Sequence, residues 1–119
     1  MDALVGIKSV GESAERYRLA TGQYPTANTQ LDITVPKSKY VRYSLGTELP
    51  NNYYYIVSIP LSGTVNYRFI YFLYHRTYLA YNKKIICQSS TDFGKKICNA
   101  IGKDPHPYSG TGNETTYVN

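Results

Sequence analysis

Residues 15–25, Glu15-Arg16-Tyr17-Arg18-Leu19-Ala20-Thr21-Gly22-Gln23-Tyr24-Pro25, change character partway along. Up to Ala20 they suit a helix, Gly22 then stops it, and Tyr24-Pro25 starts an extended stretch. Working backwards, Ala3, Ile7, Val10, Ala14 and Tyr17 recur at alternating spacings of four and three, which predicts a helix over residues 3–20 with one apolar stripe. Lys8, Glu12, Glu15 and Arg16 fall on the other side, and Ser13 is read with them as part of the polar back. Gly6 and Gly11 each cost about 1 kcal/mol relative to Ala inside a helix, so this helix needs a surface to lie on.

Working forwards, residues 26–38 form a connection carrying the alternating apolar positions Leu31, Ile33 and Val35, which can dock beside a sheet. Four strand-like runs follow at 40–45, 53–59, 65–74 and 77–86, rich in Tyr, Val, Ile and Phe. The short links between them, including a tight turn at His75-Arg76, predict an antiparallel meander. The run 65–74 is apolar on both faces, with Tyr67, Phe69, Tyr71 and Leu73 on one and Ile70, Phe72 and Tyr74 on the other, so it is the expected central strand. Ser90-Thr91-Asp92 opens a short second helix with the stripe Phe93, Ile97 and Ile101, ending at Gly102. The expectation is a single α+β domain over 1–119, divided into a helix (1–22), a connecting loop (23–39), an antiparallel sheet (40–87), a disulfide region (88–102) and a loop tail (103–119).

Composition bounds the class. With 119 residues there is room for one core, and 42% apolar against 18% charged residues excludes a disordered chain. No apolar run is long enough to cross a bilayer, and the first residues lack the pattern of a signal peptide. The excess of 13 Lys and Arg over 8 Asp and Glu fits a basic patch but falls short of a dedicated nucleic-acid binder. Cys87 and Cys98 have no CxxC partner and no His cluster nearby, so no four-ligand zinc site forms locally. A disulfide closing a short loop in an oxidising compartment is the preferred use; two free buried thiols in a cytosolic protein is the alternative.

The order of these parts, with Glu15, Tyr17, Gly22, Tyr24 and Pro25 at the helix end and the cysteine pair after the meander, resembles the globular domain of type IV pilins and type II secretion pseudopilins. The resemblance covers residues 3–102 and implies a structural subunit of a cell-envelope or extracellular filament of a prokaryote, acting by self-assembly and surface display. It implies copies of itself as partners, and a membrane contact made through an apolar half-helix upstream of Ala3. Because the chain begins at Met1-Asp2, it reads as a soluble piece without that half, monomeric as it stands; the alternative is a pilin-like protein that never enters a filament. Val5, on the polar side of the helix, is then a candidate filament contact, or else an isolated exposed Val.

Motifs for chemistry are sparse. His75, in the expected turn, and His106, between two prolines, read as surface histidines with no triad spacing. No phosphate-binding glycine motif occurs, and Asp104 alone cannot supply a calcium site, so neither a cofactor nor a metal is expected and the chain is read as no enzyme. Asn113-Glu114-Thr115 matches a glycosylation sequon that is read as idle. The rival signal is basic and aromatic. Lys83, Lys84, Lys95, Lys96 and Lys103 surround the cysteines, opposed by Asp92, and tyrosines 40, 43, 53, 54, 55, 67, 71, 74, 78 and 81 lie on the expected sheet. Such a surface can track phosphates and stack bases, which would make a DNA-binding minor pilin or a secreted binding module. The preferred reading is that tyrosine builds strands and lysine solvates an edge.

Overall fold

The structure, a computed structural model, describes residues 2–48, 53–63, 66–76, 81–102, 104–105 and 114–118. Helix α1 (Asp2–Thr21) ends where expected. Gly22 follows at φ 83°, and its N–H donates to the Arg18 carbonyl at 2.7 Å. Ile7, Val10 and Ala14 are fully buried, Ala3 and Leu4 pack partly against the same core, and Tyr17 is half-buried with its hydroxyl accepting from Gln30 Nε2 at 2.8 Å.

The polar back of α1 is narrower than the sequence suggested. Ser13 is fully buried, because it and Gly6 flank Val10 and Tyr17 of the stripe and widen the buried face. Its hydroxyl donates to Asp32 Oδ1 at 2.7 Å and accepts the Asp32 N–H at 3.1 Å, so the group is satisfied where it lies. Arg16 completes the clasp with Nε 2.6 Å from Asp32 Oδ2 and a second nitrogen 2.7 Å from Oδ1. Glu15 is half-buried too, ion-paired with Lys83 and accepting from the Tyr24 hydroxyl at 3.2 Å. The clasp pins the connecting loop, in which Leu31 is buried and Ile33 and Val35 pack partly against the core.

Strands β1 (Val41–Glu48), β2 (Tyr53–Pro60), β3 (Arg68–His75) and β4 (Lys84–Ser89) form the antiparallel four-stranded meander in chain order. The β3–β4 connection is wider than a His75-Arg76 turn. β4 starts at Lys84, and the expected strand residues 77–80 lie outside the described residues. Asn82 Oδ1 accepts the His75 N–H at 2.5 Å, and Lys83, at φ 62°, donates its N–H to the Phe72 carbonyl at 2.8 Å, which aligns β4.

Helix α2 (Asp92–Ile101) starts at Thr91, whose hydroxyl accepts the Gly94 N–H at 3.0 Å. Its buried face is Gly94 and Cys98, while Phe93, expected in the apolar stripe, is 65% exposed. The reason is the Cys87–Cys98 disulfide, with Cα atoms 5.4 Å apart and both residues fully buried, which sets the rotation of the helix.

The tail is not all loop. β5 (Asp104–Pro105) and β6 (Glu114–Tyr117) extend the sheet to the order β1-β2-β3-β4-β6-β5, with Ile86 opposite Tyr117 and Ser89 opposite Glu114. Val118 is buried, and its N–H donates to the Ile85 carbonyl at 2.9 Å. Without β6 the backbone of β4 would be an open edge, and Thr115-Thr116-Tyr117-Val118 is rich in strand formers. Lys103, His106 and the sequon's Asn113 lie outside the described residues. The whole is α+β: an N-terminal helix on a four-stranded antiparallel meander, which β6 and β5 extend at its edge, with a C-terminal disulfide, a pilin-like topology.

Candidate functional site

The two faces of the sheet have different partners. Tyr43, Tyr54, Ile56, Phe69, Leu73, Ile85 and Cys87 share one core with α1 and α2. On the other face Val57, Ile70 and Ile86 form a small second cluster, packed against Tyr55, Ile59 and Phe72. No helix among the described residues covers this face; side chains lying across it do. Phe72 and Tyr81 stack with centroids 5.0 Å apart, and Tyr53 and His75 stack at 4.9 Å. His75 is therefore not a surface histidine. It is 6% exposed among rings, and burial pushes its imidazole below the ordinary value.

The lysines do not converge. Lys83 reaches α1 through its ion pair with Glu15, whereas Lys84 precedes the inward-facing Ile85 and so lies on the opposite face of β4. Lys95 and Lys96 sit on α2, half-buried and exposed respectively. The tyrosines divide as well, Tyr43 and Tyr54 toward the helices and Tyr53 and Tyr55 away. Val5 stands 66% exposed on α1, and Leu19 beyond it 78%.

A concave site that the sequence did not single out lies where α1 ends. Arg18, Gly22, Gln23, Tyr24, Thr26, Tyr53, Tyr54 and Tyr74 enclose about 570 Å³, within the range of small-ligand sites. Tyr24 has two ring-face partners, with the Arg18 guanidinium 5.2 Å from its centroid and Tyr54 stacked at 4.3 Å and 9°. The Tyr54 hydroxyl donates to the Pro25 carbonyl at 2.6 Å, which holds this wall in place. Burial, reinforced by Glu15, pushes the Tyr24 phenol up to about 12, and burial raises Tyr54 further, so both are neutral at physiological pH.

Tyr74 reaches the cavity through a register shift. Tyr55 pairs with Phe72 but Tyr54 pairs with Tyr74, so Leu73 is the extra residue and the alternation reverses. Tyr74 leaves the face of Ile70 and Phe72, where strict alternation had put it, and His75 takes the place among the outer rings. A bulge of this kind leaves no mark in a run of apolar residues. Gly22-Gln23-Tyr24 beside Arg18 was a better signal, since a chain leaving a helix over an aromatic residue makes a concave corner.

Among the described residues no group of three or more His, Cys, Asp or Glu could hold a metal ion, and no helix is long and apolar enough to cross a membrane. Comparison of the chain with protein-family models, with curated proteins and with solved structures gives no match.

Proposed function

We propose that the chain is the globular head of a type IV pilin or type II secretion pseudopilin, a structural subunit that works by self-assembly and surface display rather than catalysis. The observation that carries this reading is α1 laid along a four-stranded meander whose last strand is tied to a second helix on the same face by the Cys87–Cys98 bond. A helix so placed can continue upstream into an apolar half that packs first in the bilayer and then among copies of itself, while the sheet remains outside as a rigid head. The Cys87–Cys98 disulfide supports a location outside the cytoplasm, since such bonds persist in oxidising compartments.

The rival reading, a DNA-binding minor pilin or a secreted binding module, draws little support from lysines that point to different faces. Antibodies against the chain test the proposal directly. Labelling of filaments sheared from the source cells, or of an envelope fraction that releases the chain only with detergent, is expected. Recovery of the chain only from the cytoplasm, with reduced thiols, would overturn it.

A further inference from the structure

The cavity at the end of α1 has features that packing alone does not require. The Arg18 guanidinium meets no carboxylate among the described residues, its one close partner being the Tyr24 ring. Tyr74 is 37% exposed, and its side chain makes neither a hydrogen bond nor a ring contact among the described residues, so one aromatic face and one hydroxyl are unused. The Gln23 side-chain amide likewise has no partner among them. Glu15, whose charge reaches Tyr24, is ion-paired with Lys83 and does not line the cavity, and the Tyr24 phenol stays protonated, so Arg18 is the one charged side chain in the lining.

We infer that this cavity binds a single acidic sugar residue, with its carboxylate on Arg18 and the apolar face of its ring against Tyr74. A purely apolar ligand would bury the guanidinium and the amide without partners. A phosphate would find one cation and none of the several charges that usually gather around it. A carboxylated pyranose uses all three unused groups together. The planar guanidinium takes the carboxylate in two parallel hydrogen bonds, the ring C–H groups lie on the phenol face, and Gln23 and the Tyr74 hydroxyl serve the ring hydroxyls. The half-open volume of about 570 Å³ has room for one such unit together with part of its glycosidic neighbour. The inference does not depend on the filament reading, since a free-standing head would bind the same sugar.

Ligand-detected and protein-detected NMR titration of the whole chain tests it, with methyl glucuronide and a methyl sialoside as acidic probes, methyl glucoside as the neutral one and benzoate as an aromatic acid. At least one acidic sugar should bind with a dissociation constant of about a few millimolar or lower, about tenfold tighter than the glucoside, and shift the Tyr24 and Tyr74 rings. Arg18→Gln should abolish the preference for the acid, and Arg18→Lys should restore part of it. Tyr74→Ala should weaken the acidic sugar while leaving the disulfide and the circular dichroism unchanged. Arg18 is exposed and its backbone bond to Gly22 does not involve the side chain, so the charge variants fold. Silence of both acidic sugars, equal affinity for the glucoside, binding unaffected by Arg18→Gln, or binding of benzoate alone would each overturn the proposal.

Discussion

Gly11 sits where the ring of Tyr71 crosses α1: a Cβ built there would lie 2.5 Å from Tyr71 Cε2 and 3.4 Å from Leu73 Cδ2. At Gly6 the same role falls to the hydroxyl end of Tyr43, a buried ring that comes closer still and donates to the Ala3 carbonyl at 3.5 Å. Both glycines weaken the helix by itself and let it approach the sheet. Alanine recovers about 1 kcal/mol of propensity, while overpacking costs about 1 to 3 kcal/mol. Gly6→Ala and Gly11→Ala should therefore each lower stability in urea denaturation; stabilisation by both would mean that the helix does not rest on these rings. Charge at this scale gives a pH dependence. Hydrogen bonds from Arg16 and then Ser13 hold the Asp32 carboxyl well below the usual carboxylate range, so the unfolded chain binds its proton first as pH falls. That stability is present above about pH 3.9 and fades below it. Burial lowers His75 as well, so its contribution is complete above about pH 6.5 and declines below. Thermal melts should show Asp32→Asn less stable than the parent at pH 7, with the gap closing in acid. His75→Phe should flatten the decline that begins near neutrality; an unchanged slope would show that His75 does not carry it.

Between elements, the Cys87–Cys98 bond joins β4 to α2 across a separation of 11 residues. Intact mass without reductant should be lower by two hydrogens, and Cys98→Ser should cost about 2 to 4 kcal/mol, in line with closing so short a loop. An unchanged midpoint would mean that Gly94 and the Thr91 cap hold α2 without it. The elements legible in the sequence were those with a strong period or a strong stop: α1 from its stripe and Gly22, the meander from its Tyr, Val and Ile runs, α2 from Thr91. What stayed hidden depended on long-range pairing. β6 is short and follows a Gly- and Pro-rich stretch, so its few strand formers, Thr115 to Val118, do not set it apart from tail until β4 offers it an edge. The Ser13–Asp32 clasp joins residues 19 apart, and a polar residue at a buried helical position reads as exposed until its partner is known. The cavity needed both the helix end and the β3 register shift, and only the first of these shows in the sequence.

Across the whole molecule, assembly needs an apolar surface that the fold has not already used. A stable interface buries about 800 Å² on each partner around a fairly apolar centre. The stripe of α1 is spent on the sheet, and Ser13 is spent on Asp32. The exposed side of α1 keeps Val5 and Leu19 among Lys8, Glu12 and Arg16, two isolated apolar residues about four turns apart. The outer sheet face is already covered by its own rings, with Val57, Ile70 and Ile86 buried beneath them. Neither surface offers an apolar centre of the required size, so the chain of 119 residues should sediment as a monomer at low micromolar concentration. Joining an apolar half-helix ahead of Asp2 should move it to the membrane fraction, and with a filament assembly machinery into filaments, in which Val5→Glu should reduce assembly. A specific oligomer of the chain without that half would mean that the head carries its own assembly surface. Tyr55→Lys would then locate it: dissociation by this change would place the contact on the ring-covered sheet face and favour a free-standing binding module over a pilin head.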